Sequence, residues 1–292
     1  MTAPPPAPHP APPLDGDLRD RPIGVFDSGI GGLTVVREIL RQLPAEHVLY
    51  FGDSARVPYG NKSVETVTRF SIESTHFLLR HGVKFLVIAC NTASALAMTA
   101  LQRRFDVPMI GVITPGARAA VRRTSNRRIG VIGTTGTINS GAYVKAIADL
   151  DPACSVEGVA CPLFVPLAEE GWTEGDVPRR IAEIYLEPLM KTGVDSVILG
   201  CTHYPILRGV IADVLGPKIT LIDTAESTIA DVRERLDAGR LLRPDDSGRP
   251  GGRRFFLSDI PVRFREIGGR FLGEEIESLT WVEQSDVPWY ER

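Results

Sequence analysis

The sequence predicts an α/β protein made of two similar halves, each a mainly parallel sheet flanked by helices. Three observations carry that reading. Short apolar runs alternate with stretches whose apolar residues recur at helical spacing, the pattern of β-α units. The pattern restarts near residue 117. Two matched segments, Leu86-Val87-Ile88-Ala89-Cys90-Asn91-Thr92-Ala93-Ser94 and Val197-Ile198-Leu199-Gly200-Cys201-Thr202-His203-Tyr204-Pro205, each put a cysteine and a polar cap at the end of a strand, 111 residues apart.

In the first half, strands are expected at 23–26, 47–51, 83–89 and 108–112, with helices over 33–43, 64–81 and 93–105. The second half reads as a helix at 117–123, then strands at 128–132, 156–160, 194–199 and 219–222. Helices at 139–150, 178–191 and 205–215 separate these strands. A helix at 228–238, a Gly/Pro/Asp-rich loop at 244–252, a strand at 254–257 and a helix at 261–271 complete the pattern. Two such halves facing one another would bring their strand ends to one cleft, and ligands bind at the carboxyl ends of parallel strands.

Composition narrows the function classes. The 292 residues are 43% hydrophobic and 24% charged, with a net charge of −3. That is enough chain for a core without covalent staples, and it leaves no basic footprint for nucleic acid. Arg122-Arg123 and Arg127-Arg128 read as a solvated face near a helix end. There is no apolar run of about 18 residues, so no membrane span is expected. Residues 1–13 are rich in Pro and Ala and lack the basic start and apolar stretch of a signal peptide; residues 1–20 are read as a disordered tail. With no secretion signal, the four cysteines (Cys90, Cys154, Cys161 and Cys201) point to a reduced, cytoplasmic protein. No cysteine or histidine falls at zinc-ligand spacing, so no metal is expected, and Cys154 and Cys161 are read as structural.

The strand exits hold the chemistry-bearing residues. Asp27-Ser28-Gly29-Ile30-Gly31-Gly32-Leu33-Thr34 offers a carboxylate and a tight glycine turn. It is neither a Rossmann fingerprint, which would need glycine at Thr34, nor a P-loop, which would need a lysine. Tyr50 to Gly60 reads as an ordinary loop or as a cleft wall dense in polar groups. A buried cysteine is often only a small hydrophobe. Cys90 and Cys201, however, each precede a helix start, whose partial positive charge favours a thiolate. His203 could assist proton transfer beside Cys201. Gly133 to Ser140 could hold a carboxylate on hydroxyls and amides, or simply cap a helix. Glu169 and Glu170 read as a surface pair unless the strand exits converge on them.

Taken in order, these segments resemble the glutamate racemase family: Phe26 to Gly32, Tyr50 to Asp53, Pro58-Tyr59-Gly60, Ala89 to Ser94, Gly133 to Ile138 and Leu199 to Pro205, with Phe255 to Gly273 similar to the family's C-terminal region. The similarity spans about residues 22–283. It implies two pseudo-symmetric α/β domains with the active site at their interface, one comprising residues 21–114 plus 225–292 and the other 115–224. It also implies a cofactor-independent isomerase that interconverts L- and D-glutamate by a two-base mechanism and supplies D-glutamate to peptidoglycan. By the same resemblance Cys90 acts on D-glutamate and Cys201 on L-glutamate, and Asp27, Glu169 and His203 assist. Substrate contacts carry over to Asp27, Ser28, Tyr59, Gly60, Asn91, Thr92, Thr202 and His203, with Thr135 and Thr137 added. A homodimer is the family's common state. A racemase of aspartate or another small acid is the alternative, as is a member with an added DNA gyrase-inhibiting role. A thiol redox protein is disfavoured because the chain has no Cys-x-x-Cys.

Overall fold

The structure, a computed structural model, describes residues 17–244, 248, 250–260 and 263–282. Ten strands run in chain order: β1 (Ile23–Asp27), β2 (Val48–Gly52), β3 (Phe85–Ile88), β4 (Met109–Gly111), β5 (Arg128–Gly133), β6 (Ser155–Ala160), β7 (Ser196–Gly200), β8 (Thr220–Asp223), β9 (Arg253–Leu257) and β10 (Thr280–Trp281). They form two sheets, ordered β10-β9-β2-β1-β3-β4 and β6-β5-β7-β8, with every neighbouring pair parallel. The expected α/β architecture of two helix-flanked parallel sheets is therefore present. The central strands β1, β2, β3 and β7 are buried along their whole length, as helix-covered parallel strands must be.

The helices are α1 (Leu33–Gln42), α2 (Val64–Arg80), α3 (Asn91–Leu96), α4 (Met98–Arg104), α5 (Ile113–Arg123), α6 (Thr135–Asn139), α7 (Ala142–Leu150), α8 (Phe164–Glu170), α9 (Asp176–Thr192), α10 (Arg208–Leu215), α11 (Thr224–Ala238) and α12 (Phe264–Leu272). Several depart from expectation. The helix expected at 93–105 is two, broken at Ala97. The one expected at 139–150 is likewise two, parted by Gly141 in the left-handed region. Helix α5 starts four residues earlier than read, because Pro115 occupies its third position. There the missing N–H is one that has no intrahelical partner. The same applies to Pro166 in α8, a helix that the sequence reading did not foresee, and β10 was also unforeseen. Of the expected tail, residues 1–16 lie outside the described residues. Leu18–Asp20 instead form a single 3-10 turn capped by the Asp17 carboxylate. Residues 245–247 and 249 of the expected loop and 261–262 of the expected C-terminal helix also lie outside the described residues.

The register sets where the strands end. Asp27 pairs with Gly52, and Gly52 with Leu257, while Gly133 pairs with Gly200. The carboxyl ends of each sheet are thus level. One apolar cluster includes Ile30 and Leu33 of the first half together with Cys201, Tyr204 and Leu207 of the second, so the halves share a core.

A buried ion pair ties distant parts of the chain together. Lys84 Nζ lies 2.5 Å from Glu46 Oε2, with each side chain 1% exposed. The ammonium also donates to the carbonyls of Arg19 and Leu241, and Glu46 Oε1 accepts the Arg243 amide. Burial lowers the Lys84 pKa, and Glu46 opposes that shift. Removing one partner strands the other charge in the interior. Lys84→Met is expected to lose about 3–5 kcal/mol in urea denaturation, and a Lys84→Met/Glu46→Gln pair to lose clearly less.

Candidate active site

Each thiol is placed by a strand and a turn. After β3, Cys90 is the N-cap of α3, and its sulfur accepts the Ala93 amide at 3.5 Å. Ser94 locks this corner by donating to the Ile88 carbonyl and accepting the Val112 amide. After β7, Cys201 opens a tight turn in which its carbonyl accepts the Tyr204 amide, and the Tyr204 hydroxyl donates to the Cys161 carbonyl. Cys90 and Cys201 line one small cavity at the junction of the halves, together with Ser28, Val57, Pro58, Tyr59, Gly60, Asn91, Thr92, Thr134, Val165, Thr202 and His203. Of the ten residues expected to bind substrate, seven line this wall, and Asp27, Thr135 and Thr137 do not.

The polar neighbours divide between the thiols. Cys90 Sγ donates to Ser28 Oγ at 3.7 Å. Cys201 Sγ lies 3.8 Å from His203 Nδ1, and His203 Nε2 lies 3.0 Å from Glu169 Oε1. The Phe271 ring packs against the imidazole in a T-shaped arrangement, with ring centroids 5.2 Å apart. Glu169 and Glu170 therefore part company: Glu169 joins the site, while Glu170 pairs with Arg263. Among the described residues Asp27 makes no hydrogen bond to a sulfur. Its fully buried carboxylate accepts the Gly29 amide and, at 3.4 Å, the Thr202 hydroxyl, which fixes the base of the cleft. A Cβ on Gly31 would lie 2.5 Å from His203 Nδ1, so only glycine permits this turn to meet the Cys201 loop.

Thr137 is buried just behind the wall, bonded to Thr92 and Thr134 in a triangle of hydroxyls with sides of 2.9 to 3.2 Å. Thr135 is a correction. It is exposed on α6 and absent from the cavity wall, which holds Thr134 in its place. Thr134 is the N-cap of α6, bonding the Thr137 amide, and that position turns its side chain inward. Val57, Pro58 and Val165 were also missed, as apolar residues carry no chemical signal. Arg122, Arg123, Arg127 and Arg128 are exposed around the end of α5, as read. Among the described residues, no three His, Cys, Asp or Glu side chains converge to hold a metal ion.

The two thiols differ electrically. Burial, reinforced by the Asp27 carboxylate, pushes Cys90 up to about 12 against the pull of the Ala93 amide and Ser28 hydroxyl. Its proton stays on at neutral pH. Burial works against a charged His203, but Cys201 and Glu169 outweigh it and raise the imidazole to about 10. The imidazolium form thus stands beside Cys201 Sγ. Because the folded-state pKa lies above the ordinary 6.5, protonated His203 favours folding below that value, and the contribution is lost as pH rises toward 10. Urea denaturation between pH 6.5 and 10 is expected to show wild-type protein losing more stability than His203→Asn.

A family model described as Asp/Glu/Hydantoin racemase matches residues 23–232. A glutamate racemase of Geobacter metallireducens is 53% identical over 254 residues, covering 87% of this chain and 93% of that protein. The crystal structure of a glutamate racemase isoform from Bacillus anthracis superposes with a TM-score of 0.86 at 42% identity, covering 92% of this chain and 99% of that one. The glutamate racemase of Francisella tularensis, solved with D-glutamate, gives 0.85 at 39% identity over 91% and 98% of the two chains. With a cleft that carries one thiol from each half, and with these likenesses along nearly its whole described length, the chain is an isomerase and belongs to the glutamate racemases of the Asp/Glu/Hydantoin racemase family.

Proposed function

We propose that this protein interconverts L- and D-glutamate without a cofactor, with Cys90 and Cys201 as acid and base on opposite faces of Cα. The observation that carries the reading is that two buried thiols from different halves line one cavity. Racemisation needs a proton removed from one face of Cα and another delivered to the opposite face. In the L-to-D direction, Cys201 Sγ, with negative charge stabilised by the His203 imidazolium, takes the α-proton and becomes a thiol. The protonated Cys90 gives its proton to the other face and is left as the thiolate. The reverse direction exchanges the roles. Glu169 holds His203 from the far side of the ring. Hydroxyls and amides around Ser28, Gly60, Asn91, Thr92 and Thr202 offer donors for the carboxylates. The D-glutamate formed would serve peptidoglycan synthesis. Free thiols throughout the described residues suit a cytoplasmic enzyme.

Proton NMR with L-glutamate in D2O tests this reading, with no cofactor added. Wild-type protein is expected to exchange the α-proton and form D-glutamate. Cys90→Ser and Cys201→Ser are each expected to slow racemisation by about 100-fold or more. Undiminished racemisation by either variant defeats the two-thiol mechanism, and faster turnover of aspartate than of glutamate moves the substrate assignment.

A further inference from the structure

Asn91 lines the cavity and is 2% exposed, and its amide nitrogen is buried with no hydrogen-bond partner among the described residues. A buried, unpaired N–H donor is costly, so a site retains one where a ligand is meant to meet it. An asparagine amide can sit either way round, and the other orientation would aim an oxygen at the same place. One contact decides between them. Tyr143, on α7 of the second half, donates its hydroxyl proton to Asn91 Oδ1 at 2.7 Å. Among the described residues this hydroxyl makes no other hydrogen bond. A flipped amide would leave the phenolic proton without an acceptor. Burial, followed by the nearby Cys201 and Asp223, holds the phenol far above its usual ionisation range, so the proton is always there to give. The ring is held in turn: it is 3% exposed, and Cβ atoms on Gly200 and Gly116 would lie 3.2 and 3.5 Å from its edge carbons.

We propose that Tyr143 is a positioning residue that fixes the Asn91 amide so that its N–H, and not its oxygen, faces a carboxylate of the substrate. The inference rests on the glutamate reading of the site. It also gives the second half a hand in binding through a residue of the first, because the bond crosses between them. An amide N–H on a carboxylate that does not react is made equally in ground and transition states. Loss of its orientation therefore raises KM and leaves kcat nearly unchanged.

The test is a double-mutant cycle in the full-length protein with L- and D-glutamate as probes. Tyr143→Phe keeps the ring and removes only the hydroxyl. It is expected to raise KM about three- to tenfold in both directions, the scale of one hydrogen bond, with kcat within about twofold. In an Asn91→Ala background, Tyr143→Phe is expected to add nothing further, since it acts only through that amide. Additive losses in the double variant, or a Tyr143→Phe protein whose KM matches wild type, overturn the proposal. If Asn91→Ala does not fold, Asn91→Ser completes the cycle with the same two outcomes. Wild-type protein that turns over no glutamate overturns the functional reading and this inference together, and that failure is seen before any variant is made.

Discussion

The meeting of the Asp27–Thr34 turn with the Cys201–His203 loop is the constraint on which the cleft depends. Thr34 Oγ1 donates to the Thr202 carbonyl at 3.2 Å, the Thr202 hydroxyl reaches Asp27, and Gly31 has no side chain to keep the two loops apart. Both loops leave buried parallel strands, so their positions are inherited from the sheets and not from their own flexible backbones. Two sheets with level carboxyl ends, joined there, leave a small space between them with a thiol on either side. The differing electrostatics of Cys90 and Cys201 follow from the same junction. The Asp27 carboxylate that braces Thr202 also raises Cys90, while the histidine that packs on Gly31 stands beside Cys201.

Much of this was legible in the sequence because it is local. Strands buried on both faces read as unbroken apolar runs, and a cysteine just past such a run must lie near the strand's exit. Asp27, Cys90 and Cys201 could be placed that way. Helix α8 was hidden by Pro166, which looks like a breaker until its place in the first turn is known. Thr134 and Thr135 are the same residue type one step apart. Only the capping geometry separates the side chain that turns inward from the one that faces solvent, though a threonine three residues before Thr137 was an available cue. The partnerships of His203 with Glu169 and of Asn91 with Tyr143 join residues 34 and 52 positions apart, and no local pattern encodes them.

Support for the reacting groups comes from beyond the cleft. Phe271 of α12 braces the His203 ring, and Arg263 at the start of that helix pairs with Glu170, next to Glu169. On the other side, the buried Asp53 carboxylate accepts hydrogen bonds from Tyr59, Arg56 and Ser258, tying a wall residue of the cavity to the segment after β9. From β9 onward the described residues contribute no reacting atom of their own, yet they steady both sides of the site.

That arrangement has a bearing on the order in which the chain can assemble as it leaves the ribosome. All four strands of the second sheet lie between Arg128 and Asp223, whereas the first sheet pairs β2 with β9, some two hundred residues later in synthesis. The later sheet to start is the first to have all its strands, and the N-terminal four strands must wait with an unpaired edge until the end of the chain arrives. An exposed strand edge is an invitation to mispairing. The growing polypeptide is therefore most vulnerable in the interval between making Gly52 and making Arg253.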